Sequence, residues 1–249
     1  MSTAPRRRVL PSTQASSDLL PSDPLLSLNQ EIVACTRCPR LISYCQKIGR
    51  EKRRAYLNWD YWARPVPGFG DPQARMLILG LAPGAHGSNR TGRPFTGDGS
   101  GNFLYPVLHK AGFASQPNAT HREDGLRLLD AYITAAVRCA PPENKPTPRE
   151  IAACAPYLDR EFAALANVKV VVVLGKIAFD AYLNYLKRRG ELERKTGFVF
   201  GHGKSYQLPG GRTLLCSYHP SLQNTLTGKL TEKMFLDIFT KAARLIREK

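Results

Sequence analysis

Four of the six cysteines are spaced for metal chemistry. Cys35 and Cys38 form a CxxC, which lets two thiolates of one turn hold one metal centre. Cys139 and Cys154 lie far downstream, with 14 residues between them. Four thiolates suit zinc or an iron–sulfur cluster. Spacing alone favours neither, because the second pair is not the tight knuckle usual in zinc sites. Four separate buried cysteines are the plain alternative, since free Cys is commonly buried. Cys45 could replace one ligand but has no paired partner, and Cys216, inside an apolar run, reads as core. With no secretory signal, the thiols are expected in a reducing compartment, where metal binding outweighs disulfides.

The elements that must position these residues alternate along the chain. Met76 to Gly80 is an apolar run of the kind buried on both faces of a sheet. It enters a Gly-rich loop, residues 81–101, and then a helix over residues 102–111. A second strand spans residues 131–137, with Cys139 just beyond it. A proline-rich loop follows, and Thr147, Pro148 and Glu150 form a proline start with a capping box for a helix reaching about residue 166. Residues 168–174 are β-branched almost throughout. Gly175 breaks that strand, a helix runs to residue 188, and residues 213–217 form a last strand. Tyr218-His219-Pro220-Ser221 comes next, and a final helix covers residues 230–247. Strand–helix alternation predicts an α/β fold, a three-layer α/β/α sandwich on a mostly parallel sheet of about four strands. The loops after residues 80, 137 and 217 carry most of the unusual polar chemistry. In parallel sheets ligands bind at the carboxyl ends of strands, so these loops are expected to converge on one cleft.

Charge narrows the partner. Lys and Arg total 36 against 20 Asp and Glu, a formal charge of +16. Such an excess suits a polyanion such as nucleic acid, though it also serves solubility. Residues 47–54 are a basic stretch, followed by the aromatics Tyr56, Trp59, Tyr61 and Trp62. No segment approaches the ~20 apolar residues of a membrane span. Residues 1–24 are Ser/Pro-rich with Arg6-Arg7-Arg8 and lack the apolar core of a signal peptide. They read as a disordered basic tail before one domain over residues 25–249, in a cytoplasmic protein.

The loop Gly80-Leu-Ala-Pro-Gly-Ala-His-Gly-Ser-Asn-Arg-Thr-Gly-Arg-Pro-Phe-Thr-Gly-Asp98 strongly resembles the first motif of type B, or family five, uracil-DNA glycosylases. His219-Pro-Ser-Leu-Gln-Asn224 resembles that family's closing motif, and the cysteine arrangement looks like that of the iron–sulfur members. The resemblance spans about residues 35–230. Family four usually has an acidic residue where this chain has Leu81, and Asn in the second strand where it reads Ile133-Thr-Ala135. Both departures favour type B and remove two polar groups from uracil recognition.

The resemblance implies a repair enzyme that hydrolyses the N-glycosidic bond of uracil, and of deaminated purines such as hypoxanthine or xanthine, in duplex DNA. It implies a 4Fe-4S cluster on Cys35, Cys38, Cys139 and Cys154, and a monomer is expected. Cleavage separates an oxocarbenium-like sugar from a base anion, so help is needed at both ends. His219 is placed to donate to the base oxygen that gains charge. Asp98 would orient water or stabilise the sugar cation; its plainer use is a turn within Thr-Gly-Asp-Gly. His86 and Asn89 are the next candidates for water. Phe95 is the stacking platform for a base rotated out of the duplex, in a pocket walled by Gly80 and Ala82, and Asn144 reads the base edge. Ser100 and Gly101, preceding a helix, offer amides to a phosphate, and Ser221 its hydroxyl. Asn224 braces the His219 loop or contacts backbone, while Leu222 or Gln223 fills the hole left by the base. A non-catalytic iron–sulfur nucleic-acid-binding module is the competing reading. A zinc hydrolase is disfavoured, because four cysteines leave zinc no open position.

Overall fold

The computed structural model describes residues 23–248, so the expected basic tail lies almost wholly outside the described residues. Two helices form ahead of the first strand, α1 (Pro24–Val33) and α2 (Pro39–Glu51), with Cys35 and Cys38 in the break between them. Each opens on a proline, whose missing N–H costs nothing in a first turn. The chain continues through β1 (Phe69–Gly70), β2 (Met76–Gly80), α3 (Ser88–Thr91), α4 (Gly99–Lys110) and β3 (Ala131–Ala135). Then come α5 (Pro148–Ala164), β4 (Val170–Leu174), α6 (Lys176–Arg188), β5 (Ser205–Gln207), β6 (Thr213–Ser217), α7 (Leu222–Leu226) and α8 (Glu232–Glu248).

The four strands legible in the sequence form the parallel centre, β3-β2-β4-β6. Two short antiparallel strands, β1 and β5, extend the edges and make six in all. At two and three residues they are too short to show a period of their own.

Period-two alternation sends each central strand's side chains to opposite layers. Met76, Ile78, Val170, Val172 and Leu215 pack with Leu104, Phe235 and Phe239 of α4 and α8. Leu77, Leu79, Val171 and Val173 pack with Leu158, Phe162, Tyr182 and Leu186 of α5 and α6. This is the three-layer arrangement. The capping box of α5 forms as read: Thr147 accepts from the Glu150 amide and Glu150 from the Thr147 amide. Glu150 also takes both nitrogens of a fork from Arg40 at 2.8 Å, tying α5 to α2.

β2 has β3 on one side and β4 on the other. The order therefore reverses beside β2, and a crevice opens there at the carboxyl ends of the strands.

Candidate active site

The Gly-rich loop after β2 is fixed from below. Arg93 and Asp124 form a buried two-pronged ion pair at 2.8 and 2.7 Å, their side chains 2% and 6% exposed. Arg93 also donates to Thr96 Oγ1 at 2.9 Å. Burial opposes ionisation of Asp124, but the Arg93 fork and the Leu126 and Thr120 amides overcome it and hold the carboxyl well below its usual range. Arg90 reaches back to the carbonyls of His86 and Gly97, at 2.8 and 2.7 Å.

So held, the loop carries Phe95 in the left-handed region, with φ of 51°. A bulky residue there is strained, and such strain concentrates at functional sites. The Phe95 N–H donates to Ser88 Oγ at 3.0 Å. Its carbonyl lies where a Gly101 side chain would begin, 1.7 Å from that Cβ position. Its ring would sit 3.1 Å from a Cβ at Gly80. Gly80 and Gly101 are thus needed for their lack of bulk, and together they aim the Phe95 ring.

A cavity of about 400 Å³ opens at this ring, within the ~300–1,000 Å³ usual for small-ligand clefts. The three loops do converge on it. The loop after β2 supplies Gly80, Ala82, Ser88, Phe95, Asp98 and Ser100; the segment after β3 supplies Arg138 and Asn144; the one after β6 supplies His219, Ser221 and Gln223. The His219 ring lies 5.8 Å from that of Phe95. Desolvation pushes the His219 imidazole down to about 4, so it is neutral at physiological pH. Asn144, like Glu143, has positive φ (57° and 53°), which turns this loop toward the cavity's edge.

Asp98 has two roles in the geometry. It is the N-cap of α4, its Oδ1 accepting the Gly101 N–H at 2.9 Å. It also lines the cavity. Burial raises its carboxyl, against the lowering effect of the Gly101 and Ser100 amides and of Arg90. The helix therefore starts three residues earlier than expected, and Gly101 is not free to bind a phosphate. Its amide is spent on Asp98, and it does not line the cavity.

Other candidates also sit elsewhere. His86 faces Tyr61, its Nδ1 3.1 Å from Tyr61 Oη. Asn89 is buried and donates to the carbonyls of Cys45 and Ala85, both at 3.3 Å. Neither lines the cavity, so neither can position water there without rearrangement. Asn224 Nδ2 donates to the His219 carbonyl at 2.8 Å, bracing that loop. Ser221 caps α7, and Leu222 is 57% exposed at its start, against Gly99.

Several residues of the cavity escaped the sequence reading. Val66 and Pro67 line the cavity from an irregular segment. Arg138 is fully buried, its Nη2 on Glu161 Oε2, which also accepts from Thr134 Oγ1 at 2.6 Å. Its place between β3 and Cys139, at a strand's carboxyl end, was the available clue.

None of the six cysteines is in a disulfide. Cys38, Cys139 and Cys154 share one apolar cluster with Cys45, and Cys35 adjoins it against Tyr157. The sulfurs are near enough to repel one another as thiolates: Cys139 is raised by a hydrogen bond with Cys45 and by burial, Cys38 by burial, and Cys154 and Cys35 raise both further. Bound metal would reverse that cost. One zinc ion would need its sulfurs within ~2.3 Å of one point. Among the described residues no group of three metal-ligating side chains is set as for a bound ion. Four soft thiols are a donor set that suits zinc or an iron–sulfur cluster.

Residues 67–243 match the model of the uracil DNA glycosylase superfamily. A type-5 uracil-DNA glycosylase of Thermus thermophilus is 56% identical over 216 residues, 87% of this chain and 95% of the relative. One from Mycobacterium bovis is 46% identical over 222 residues, 89% of this chain and 81% of the relative. A type-4 uracil-DNA glycosylase of Pyrobaculum aerophilum is 34% identical over 185 residues, 73% of this chain and 80% of the relative.

Proposed function

Because the chain belongs to the uracil DNA glycosylase superfamily and is a uracil-DNA glycosylase, we propose that the cavity at the ends of β2, β3 and β6 receives a uracil nucleotide swung out of duplex DNA. The observation that carries this reading is Phe95, held in a strained left-handed conformation beside a neutral His219 at the mouth of three converging loops. A fixed aromatic face suits a base that has lost its stacking neighbours.

The leaving uracil takes the electron pair of the glycosidic bond and becomes an anion. His219, neutral, donates an N–H to the oxygen where that charge gathers. Asp98 acts as a carboxylate, drawing a proton from the attacking water or facing the sugar cation; its raised pKa makes it the better base. Asn144 addresses the base edge, and the hydroxyls of Ser100 and Ser221 the flanking phosphates. Gln223, and Leu222 at the exposed start of α7, fill the vacated stack.

Cys35, Cys38, Cys139 and Cys154 would hold a 4Fe-4S cluster. Its contribution is structural: it ties the α1–α2 junction to the end of β3 and the second turn of α5. Hypoxanthine and xanthine are proposed as further substrates, duplex over single-stranded DNA as the preferred form, and a cytoplasmic monomer as the working state.

Duplexes with uracil, hypoxanthine or xanthine at one position test this reading. The expected product is an abasic site with release of the free base. Binding with the base left in place would instead support a non-catalytic nucleic-acid-binding module.

A further inference from the structure

Residues 47–54 contain Lys47, Arg50, Lys52, Arg53 and Arg54 against one acid, Glu51. Glu51 faces Lys47 at 3.8 Å, and Lys52 Nζ donates to the Leu57 carbonyl at 3.0 Å. Arg50, Arg53 and Arg54 are exposed and, among the described residues, paired with no carboxylate. Nothing in the site above uses them.

Their backbone is joined to the loop whose Ser88 lines the cavity. The Arg53 N–H donates to Tyr61 Oη at 3.3 Å, and that hydroxyl meets His86 Nδ1. The Trp62 and Ala63 amides donate to the carbonyls of Arg90 and Asn89, both at 2.9 Å. Asn89 reaches across to Cys45 of α2. Gly49 permits the close approach, since a side chain there would begin 2.6 Å from Ala63 Cβ. Arg90 lies between Tyr56 and Trp59, 3.9 and 4.0 Å from their ring centres. The helix thus joined to this segment, α3, begins at Ser88, which lines the cavity. These cations have no carboxylate partner and stand on backbone joined to a helix that lines the cavity, so only their side chains remain to be ordered when they meet an anion.

We propose that Arg50, Arg53 and Arg54 grip the phosphate backbone of the duplex beside the extruded nucleotide. This rests on the reading that the chain acts on duplex DNA. The test is the full-length R50E/R53E/R54E variant, with K187E/R189E/R194E as an equal charge change. The control residues lie at and beyond the end of α6, which starts at the carboxyl end of β4 and so finishes at the far end of the sheet. Affinity for a duplex with a stable abasic-site analogue is titrated against salt, and single-turnover uracil release is followed at saturating enzyme. Losing three phosphate contacts should flatten the log–log salt slope by about 2.7, at roughly 0.9 per contact. Affinity should fall at least tenfold at moderate salt, with the saturating rate within about twofold of wild type. A variant no weaker than the control overturns the proposal while leaving base excision intact. Failure of the wild-type protein to release uracil would instead overturn the functional reading. Tighter binding of duplex RNA than DNA through these arginines would reassign the surface and overturn the proposal.

A separate observation carries a second inference. His202 Nδ1 accepts the Tyr218 N–H at 3.3 Å and lies 3.4 Å from Ser217 Oγ. Its ring lies 5.2 Å from that of Tyr218. We infer that His202 is a positioning residue for His219, pinning the backbone one residue before it. His202→Ala should lower the single-turnover rate about tenfold or more with unchanged half-saturation, and His202→Asn, which keeps an acceptor, should recover most of it. In a His219→Ala background His202→Ala should cost little further rate, because the two act through one group. Equal penalties in both backgrounds, no rescue by Asn, or an unchanged rate in His202→Ala would overturn it.

Discussion

The rings of Phe95 and His219 are 5.8 Å apart and tilted by 32°. A base between them would need about 7–8 Å, twice the contact distance of carbon atoms. A base stacked on Phe95 therefore meets His219 at its edge, where its oxygens are. His219→Ala should then lower the single-turnover rate of uracil release by roughly 100-fold or more, the range for removal of an oxyanion donor. Affinity for abasic product should change little. The penalty should shrink as the departing base becomes more acidic, since a better leaving group needs less help. A penalty independent of leaving-group acidity would place His219 in binding or loop support.

The same imidazole makes a pH prediction. Desolvation lowers its pKa to about 4, so it loses its added proton well before neutrality. Between about pH 6 and 8 the single-turnover rate should carry no histidine inflection from His219, and protonation should matter only toward pH 4. An acid limb near the ordinary histidine value of ~6.5 that vanishes in His219→Gln would contradict a neutral donor.

Stability of the Gly-rich loop depends on Asp124. Asp124→Ala leaves Arg93 buried and unpaired, which should cost roughly 3–5 kcal/mol, measurable by denaturant titration. The folded pKa lies below the unfolded one. The ion pair's contribution is therefore complete above the ordinary aspartate range and is lost as pH falls through the folded value. Wild type and variant should converge in stability toward low pH; a gap that persists there would mean the loss is packing rather than charge.

The parallel core was legible because Met76–Gly80 and Val170–Leu174 are buried on both faces and so read as unbroken apolar runs. His219, Phe95 and Asp98 were legible from the motif loops, and the cavity brings all three together. What escaped reading depends on long-range partners. Gly101 looked like a phosphate-binding amide until Asp98 took its N–H. His86 and Asn89 lie in the motif yet point toward Tyr61 and Cys45, because α2 packs against that side of the loop. Arg138 and His202 owe their places to Glu161 and Tyr218, pairings that spacing does not encode.

The cysteines make an analytical prediction. Protein purified without oxygen should be brown, with iron and sulfide in stoichiometric amounts. Zinc without sulfide would remove the cluster assignment. Cys35→Ser should reduce the yield of folded protein more than the rate in what folds, since no ligand lines the cavity.

Asp98→Asn separates the carboxylate's two uses. Asn is as good an N-cap as Asp, so its side-chain oxygen can still accept the Gly101 N–H and α4 should keep its start. Melting temperature should change little. Only the charge is removed, from a group that burial has already made more basic. If that charge handles water or the sugar cation, the single-turnover rate falls by roughly 100-fold or more, the range for positioned acid–base groups, with unchanged affinity for uracil-containing duplex. Asp98→Ala should add a stability loss of about 1 kcal/mol from the missing cap without a much larger rate loss. A near-wild-type rate in Asp98→Asn would confine Asp98 to capping. The water would then have to be held by another group lining the cavity, of which Asn144 is the nearest in chemistry, and Asn144→Ala would become the decisive variant.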